Sequence, residues 1–189
     1  MDTGVETEGR NKRLTSIAAL TVVIFSVFVA VEKIKDDNIV QAMQQAKADT
    51  VDTWAEYQAS RLKLHQEELR RDLLSILRTV SGANPDEAAR QTVEAEADIK
   101  KYTDRSQSLM KKAKGLEARY EELGLKDDQF DTADAFLSIA IAVAAVAILV
   151  ESWWLLIFSW ASGAIGAAIG VAGFLDIPLR IEWLIRLLT

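Results

Sequence analysis

Two long apolar stretches bracket a charged middle segment, and this layout limits the folds open to the chain. Residues 14–31 carry no charged side chain, and residues 135–150 and 153–175 form a second block interrupted only by Glu151 and Ser152. A transmembrane helix needs about 20 mostly apolar residues, with roughly 17 as the lower bound. The first and last stretches meet that directly. The middle one does so when residues 136–154 are read as one helix ending at the interface. The pattern predicts an all-α integral membrane protein with three transmembrane helices and a long extramembrane antiparallel helical hairpin of coiled-coil type. The expected segments are a flexible tail (1–13), an anchor (14–35), the helical hairpin (36–131), a membrane hairpin (132–175) and an amphipathic interfacial helix (176–189).

Two prolines and nine glycines in 189 residues leave little room for loops. With no cysteine, disulfides and thiolate chemistry are excluded. A net charge of −6 argues against nucleic acid as a partner. Arg10, Lys12 and Arg13 precede the first apolar run as they would in a signal peptide. The run is longer than a usual signal core, however, and leads straight into Glu32-Lys33-Ile34-Lys35-Asp36-Asp37 without a small-x-small cleavage site. A retained anchor is expected.

Residues 37–80 contain neither glycine nor proline. The helix they predict stops at Ser81-Gly82-Ala83-Asn84-Pro85. Gly82 suits a left-handed cap, Asn84 an N-cap, Pro85 the first helical position, and Asp86-Glu87 the positive end of the next dipole. The return helix is expected to reach Leu123 and break at Gly124. Its heptad seam reads Ile99, Tyr102, Ser106, Leu109, Ala113, Leu116, Tyr120, Leu123. On the outgoing helix Ala55, Ala59, Leu62, Gln66, Leu69, Leu73, Ile76 and Val80 are expected to answer it. A second stripe, Trp54, Tyr57, Gln58, Arg61, His65 and Glu68, lies roughly a quarter turn away. Trp54, Tyr57, Gln58, Arg61 and His65 are the candidate surface for another copy or a protein partner. The competing expectation is that Trp54 and Tyr57 only widen the seam inside the hairpin.

Gln45-Ala46-Lys47-Ala48, Trp54-Ala55-Glu56-Tyr57-Gln58-Ala59 and Glu68-Leu69-Arg70-Arg71-Asp72 resemble segments of a family of small bacterial membrane proteins catalogued as a domain of unknown function. Its members carry a Trp-x-x-Tyr-Gln-Ala segment after an N-terminal anchor and end in a two-helix membrane hairpin. The resemblance runs from about Lys12 to Leu175. It implies the same architecture and a bacterial inner-membrane address, and no activity.

Membrane helices associate through small residues. Ser162, Gly166 and Gly170, with Gly163, Ala167 and Gly173 beside them, are expected to pack on Ala140 and Ala144, or on Ser138, Ala142 and Ala145. Glu151 should mark an exposed turn, with Trp153, Trp154 and Trp160 at the interface. Asp127, Asp128, Asp131 and Asp134, joined by Asp36, Asp37 and Asp176, make an acidic collar. It either attracts cations or is simply solvated. The flanking charges favour a cytoplasmic N-terminus and a periplasmic hairpin.

Catalysis finds no support. His65 is the lone histidine, which with Glu68 supplies too few ligands for a metal, and neither a serine elbow nor a phosphate loop is present. No cofactor or metal is expected. The reading is a homo-oligomeric membrane scaffold or interaction protein in the lipid bilayer. The alternative is an oligomeric channel or pore whose acidic collar draws cations.

Overall fold

The computed structural model describes residues 3–79 and 84–177, and among these every regular element is helical. There are three: α1 (Thr3–Leu77), α2 (Pro85–Val150) and α3 (Trp153–Phe174). All three contain stretches long and apolar enough to cross a membrane. The expected turn residues 81–83 and the amphipathic tail beyond Ile177 lie outside the described residues.

Local chemistry sets the helix ends. The Asn84 side chain accepts hydrogen bonds from the backbone N–H of Asp86 (3.1 Å) and Glu87 (3.4 Å), which makes it the N-cap of α2. Asp86 and Glu87 then occupy the first turn, where the dipole favours them. α1 extends back to Thr3, so the segment expected as a tail continues the anchor helix. Gly124 does not break α2. A Cβ there would meet only the Met43 side chain, at 3.7 Å. One glycine costs a helix about 1 kcal/mol, too little to interrupt a long run of good helix formers. Residues 136–154 do not form one helix: α2 ends at Val150 and the turn falls at Glu151, the position expected for it. Glu151 adopts φ 51°, and the Ser152 N–H reaches back to the Ala147 carbonyl at 3.1 Å. This left-handed closure ends α2 at Val150 and leaves Trp153 free to start α3.

The chain divides into two compact units, Met1–Met43 with Glu122–Thr189, and Gln44–Glu121. In the first, α1, α2 and α3 pack around Leu14, Ala18, Leu137, Ala140, Ala144, Ala147, Leu156 and Ser159, each at most 1% exposed. Its outer surface is also apolar, with Leu20, Val23, Val27, Val31, Leu149 and Phe158 exposed. An apolar belt of that kind is a liability in water and natural in lipid.

In the second unit α1 and α2 run antiparallel. The return seam appears at the expected register: Ser106 and Ala113 are buried, while Ile99, Tyr102, Leu109, Leu116 and Tyr120 are half-buried. The outgoing seam does not. Leu62, Leu69, Leu73 and Ile76 are 60–63% exposed. The buried stripe is instead Ala46, Thr50, Thr53, Ser60, Leu64 and Leu74, which keeps the three–four spacing on a different face. Small side chains win this face because α2 also offers Ala95, Ser106 and Ala113 there, so the backbones approach closely. The hydroxyls cost little: Thr50 donates to the Ala46 carbonyl at 2.7 Å, and Ser106 to the Ser60 hydroxyl at 3.1 Å.

This register can be checked on dilute, monomeric protein in detergent. Leu64→Ala should lower the unfolding free energy by about 2 kcal/mol or more. Leu62→Ala should stay within about 0.5 kcal/mol of the parent. Equal losses at the two positions would contradict it.

Candidate functional site

α3 presents glycine to both of its neighbours. A Cβ at Gly163 would overlap the Phe25 ring and one at Gly170 the Glu32 carboxylate, both on α1. A Cβ at Gly166 would lie 2.9 Å from the Ala133 carbonyl oxygen, and one at Gly173 2.9 Å from Phe130, both on α2. Two hydroxyls add directed contacts: Ser159 donates to the Ala140 carbonyl at 2.7 Å and Ser162 to the Phe136 carbonyl at 2.8 Å. Ser162, Gly166, Gly170, Ala140 and Ala144 are therefore all buried where the helices meet. Ser138, Ala142 and Ala145 face outward. Trp154 is exposed, but Trp160 ties α3 to α1 by donating to the Thr21 hydroxyl at 3.0 Å.

One end of this bundle gathers carboxylates from two helices. α1 brings Glu32 and Asp36, one turn apart; α2 brings Asp127, Asp131 and Asp134 on a matching face. Glu32 is 3% exposed and Asp36 5% exposed. They line a crevice together with Val29, Lys33, Phe130, Asp131 and Asp134. Among the described residues Lys33 is its one cation, bound to Asp36 at 2.8 Å. Both Glu32 oxygens, Asp36 Oδ1 and Asp134 Oδ1 are buried without a hydrogen-bond partner among the described residues. Nearby, Gln129 donates to the Ile169 and Ile177 carbonyls at 3.1 and 3.2 Å, fixing the end of α3 against α2.

The expected collar is thus split. Asp128 stays exposed, whereas Asp127 and Asp134 are half-buried. Burial, then the Asp36 side chain beside it and the charge of Asp131, push the Asp127 carboxyl up to about 6. Burial and the Asp36 charge also raise Asp131. Asp176 leaves the cluster for Lys126, at 3.0 Å, and that partner holds its carboxyl below the usual range. Sequence reasoning missed Glu32 as a member. The available signal was its four-residue spacing to Asp36, which puts both on one helix face. Among the described residues, no three His, Cys, Asp or Glu side chains are arranged to hold a metal ion directly.

On the hairpin unit, Trp54 Nε1 donates to Glu117 at 2.8 Å and the Trp54 ring meets Tyr57 edge-on at 5.3 Å. Both rings are half-buried, beside or within the stripe that faces α2. Gln58 and Arg61 are exposed, as is His65, which pairs with Glu68 at 2.9 Å. The stripe singled out from sequence therefore divides between the hairpin's own seam and open surface.

Residues 14–176 match the model of a family described as a domain of unknown function, DUF4337. The chain belongs to this family. The match covers all three helices' apolar stretches and the hairpin unit between them. No curated protein and no solved structure matches the chain.

The raised Asp127 value makes stability depend on pH with a definite sign. An ordinary aspartate sits near 3.8 and this one near 6, so the folded form binds the proton more tightly. Its contribution is fully present below about pH 4 and is lost as pH rises through 6. Denaturation midpoints in detergent should therefore rise between pH 7 and pH 4.5, and Asp127→Asn should flatten that slope.

Proposed function

We propose that this chain is a membrane-anchored helical scaffold that assembles with copies of itself and carries out no catalysis, resident in a bacterial inner membrane with its hairpin on the periplasmic side. The observation that carries this reading is the outward stripe on α1. Leu62, Leu69, Leu73 and Ile76, each about 60% exposed, recur at alternating steps of seven, four and three. At 100° per residue their centre lies roughly 170° round the helix from the buried Thr53–Ser60–Leu64 stripe. An apolar face of that period on a folded helix is the shape of a second helical partner.

A second copy fits that role. Copies anchored with one topology in one bilayer present their hairpins in the same direction, so like faces meet in parallel. Ala55, Leu62, Leu69 and Ile76 then form one set of layers and Ala59, Gln66 and Leu73 the other. Gln66 meets its own equivalent, and a single polar layer of this kind fixes register in parallel helices. The charges on one margin turn inward: Glu56 towards Arg105 (3.8 Å), Lys63 over Tyr102 (5.9 Å) and Arg70 towards Glu94 (3.6 Å). The stripe is left uncovered. The thin seam of alanine, serine and threonine inside the hairpin also buries little apolar area, which a second copy would supplement.

The alternative, an oligomeric pore, draws on the carboxylates at the end of the bundle. Any such pore would run between copies, because Leu14, Leu137, Leu156 and Ser159 fill the interior of each.

The test is mass measurement in nanodiscs beside circular dichroism. The parent should be oligomeric, and the Leu62→Gln, Leu69→Gln, Leu73→Gln, Ile76→Gln variant monomeric with unchanged helix content. A monomeric parent, or a variant that assembles equally well, would overturn the reading.

A further inference from the structure

We infer that the crevice between Glu32, Asp36 and Asp134 is a binding site for a small hard cation, either a proton or a metal ion held partly through water. The inference is independent of self-association. Three carboxylates from two helices line one small crevice, and among the described residues four of their oxygens are buried without a partner: both oxygens of Glu32, Asp36 Oδ1 and Asp134 Oδ1. Glu32 is 3% exposed, so water outside the bundle cannot solvate it. A buried carboxylate without a partner costs several kcal/mol, and proteins remove that cost by adding a compensating positive charge.

Among the described residues, no side chain supplies it in full. From α1 the cluster is faced by Glu32, Asp36, Asp37 and Lys33; from α2 by Asp127, Asp128, Asp131 and Asp134. α3 contributes only the Gly170 backbone there, with no side chain. Lys33 is committed to the second oxygen of Asp36, and its side chain is 59% exposed. The space measures about 10 Å³, close to the room one water occupies. That size suits a proton carried on a carboxyl or water, or a single metal ion that keeps waters on its open side. It excludes organic cations. Because no three acids converge tightly enough to ligate a metal alone, a metal would complete its shell with water.

The site also has a direction. Asp131 is exposed at the mouth. Beyond Glu32, Gly170 lies against Phe28 as well as the carboxylate, so the apolar layer closes the inner side. A cation reaches Glu32 from the Asp131 side and goes no further. Occupancy would then tighten the contact of α1 with α3.

Thermal midpoints of the full-length protein in detergent test this, in an Asp127→Asn, Asp131→Asn background that removes the two raised carboxyls beside the three. One arm lowers pH from 8 to 5 without added metal. The other holds pH 8 and adds NaCl, CaCl2 or MgCl2 against choline chloride at matched ionic strength. A midpoint raised by several degrees in the first arm identifies a proton; a saturable rise in the second identifies a metal. Adding Glu32→Gln, Asp36→Asn and Asp134→Asn should abolish either response and lift the cation-free midpoint. If that variant fails to fold, Glu32→Gln alone, which keeps the side-chain shape, should weaken the response. No response in either arm, or a response the substitutions leave intact, would overturn the inference.

Discussion

The closeness of α3 to its two neighbours is the contact on which the bundle depends, and it exists because α3 turns mostly glycine and serine towards them. Three helices apolar enough to cross a membrane would gain little there from burying apolar surface, since lipid chains are equally apolar. What remains is contact at short range and hydrogen bonding. Gly163 and Gly170 let Phe25 and Glu32 of α1 press on the backbone, while Gly166 and Gly173 do the same for Leu137 and Phe130 of α2. Ser159 and Ser162 then bond to carbonyls of α2. The acidic crevice follows from this. Glu32 is buried because Gly170 leaves space for α3 to lie over it, and the α2 carboxylates are brought alongside by the same packing.

Much of this was legible in the sequence. Three apolar stretches, the Asn84-Pro85 start of α2, the heptad on the return helix and the glycine repeat of α3 each rest on a local rule, and local rules survive into the fold. Gly124 and the early end of α2 at Val150 departed from expectation for local reasons too. A single glycine cannot stop a strong helix, and a left-handed residue can end one wherever the Schellman bonds close.

The outgoing seam was not legible, and the reason is physical. α1 carries two heptad stripes, one with leucines and one with threonine, serine and alanine. Apolar content points to the leucines as the buried face. Close packing against Ala95, Ser106 and Ala113 selects the other, because hydroxyls that bond to their own helix behave as small side chains. Glu32 was hidden for a similar reason. As the first charge after an apolar run it looks like a solvated flank, and only the glycine of a distant helix shows that it is enclosed.

The account turns on α1 having two working faces, a small-residue face towards α2 and a leucine face towards a second copy. The chain contains no cysteine, so single cysteines can be placed without background. Oxidative cross-linking in native membranes at positions 62 and 69, compared with 64 and 74, reads the two faces directly. The account predicts dimers linked at 62 and 69, and none at 64 or 74. Cross-links at 64 and 74 but not at 62 and 69, or none at any position, would contradict it.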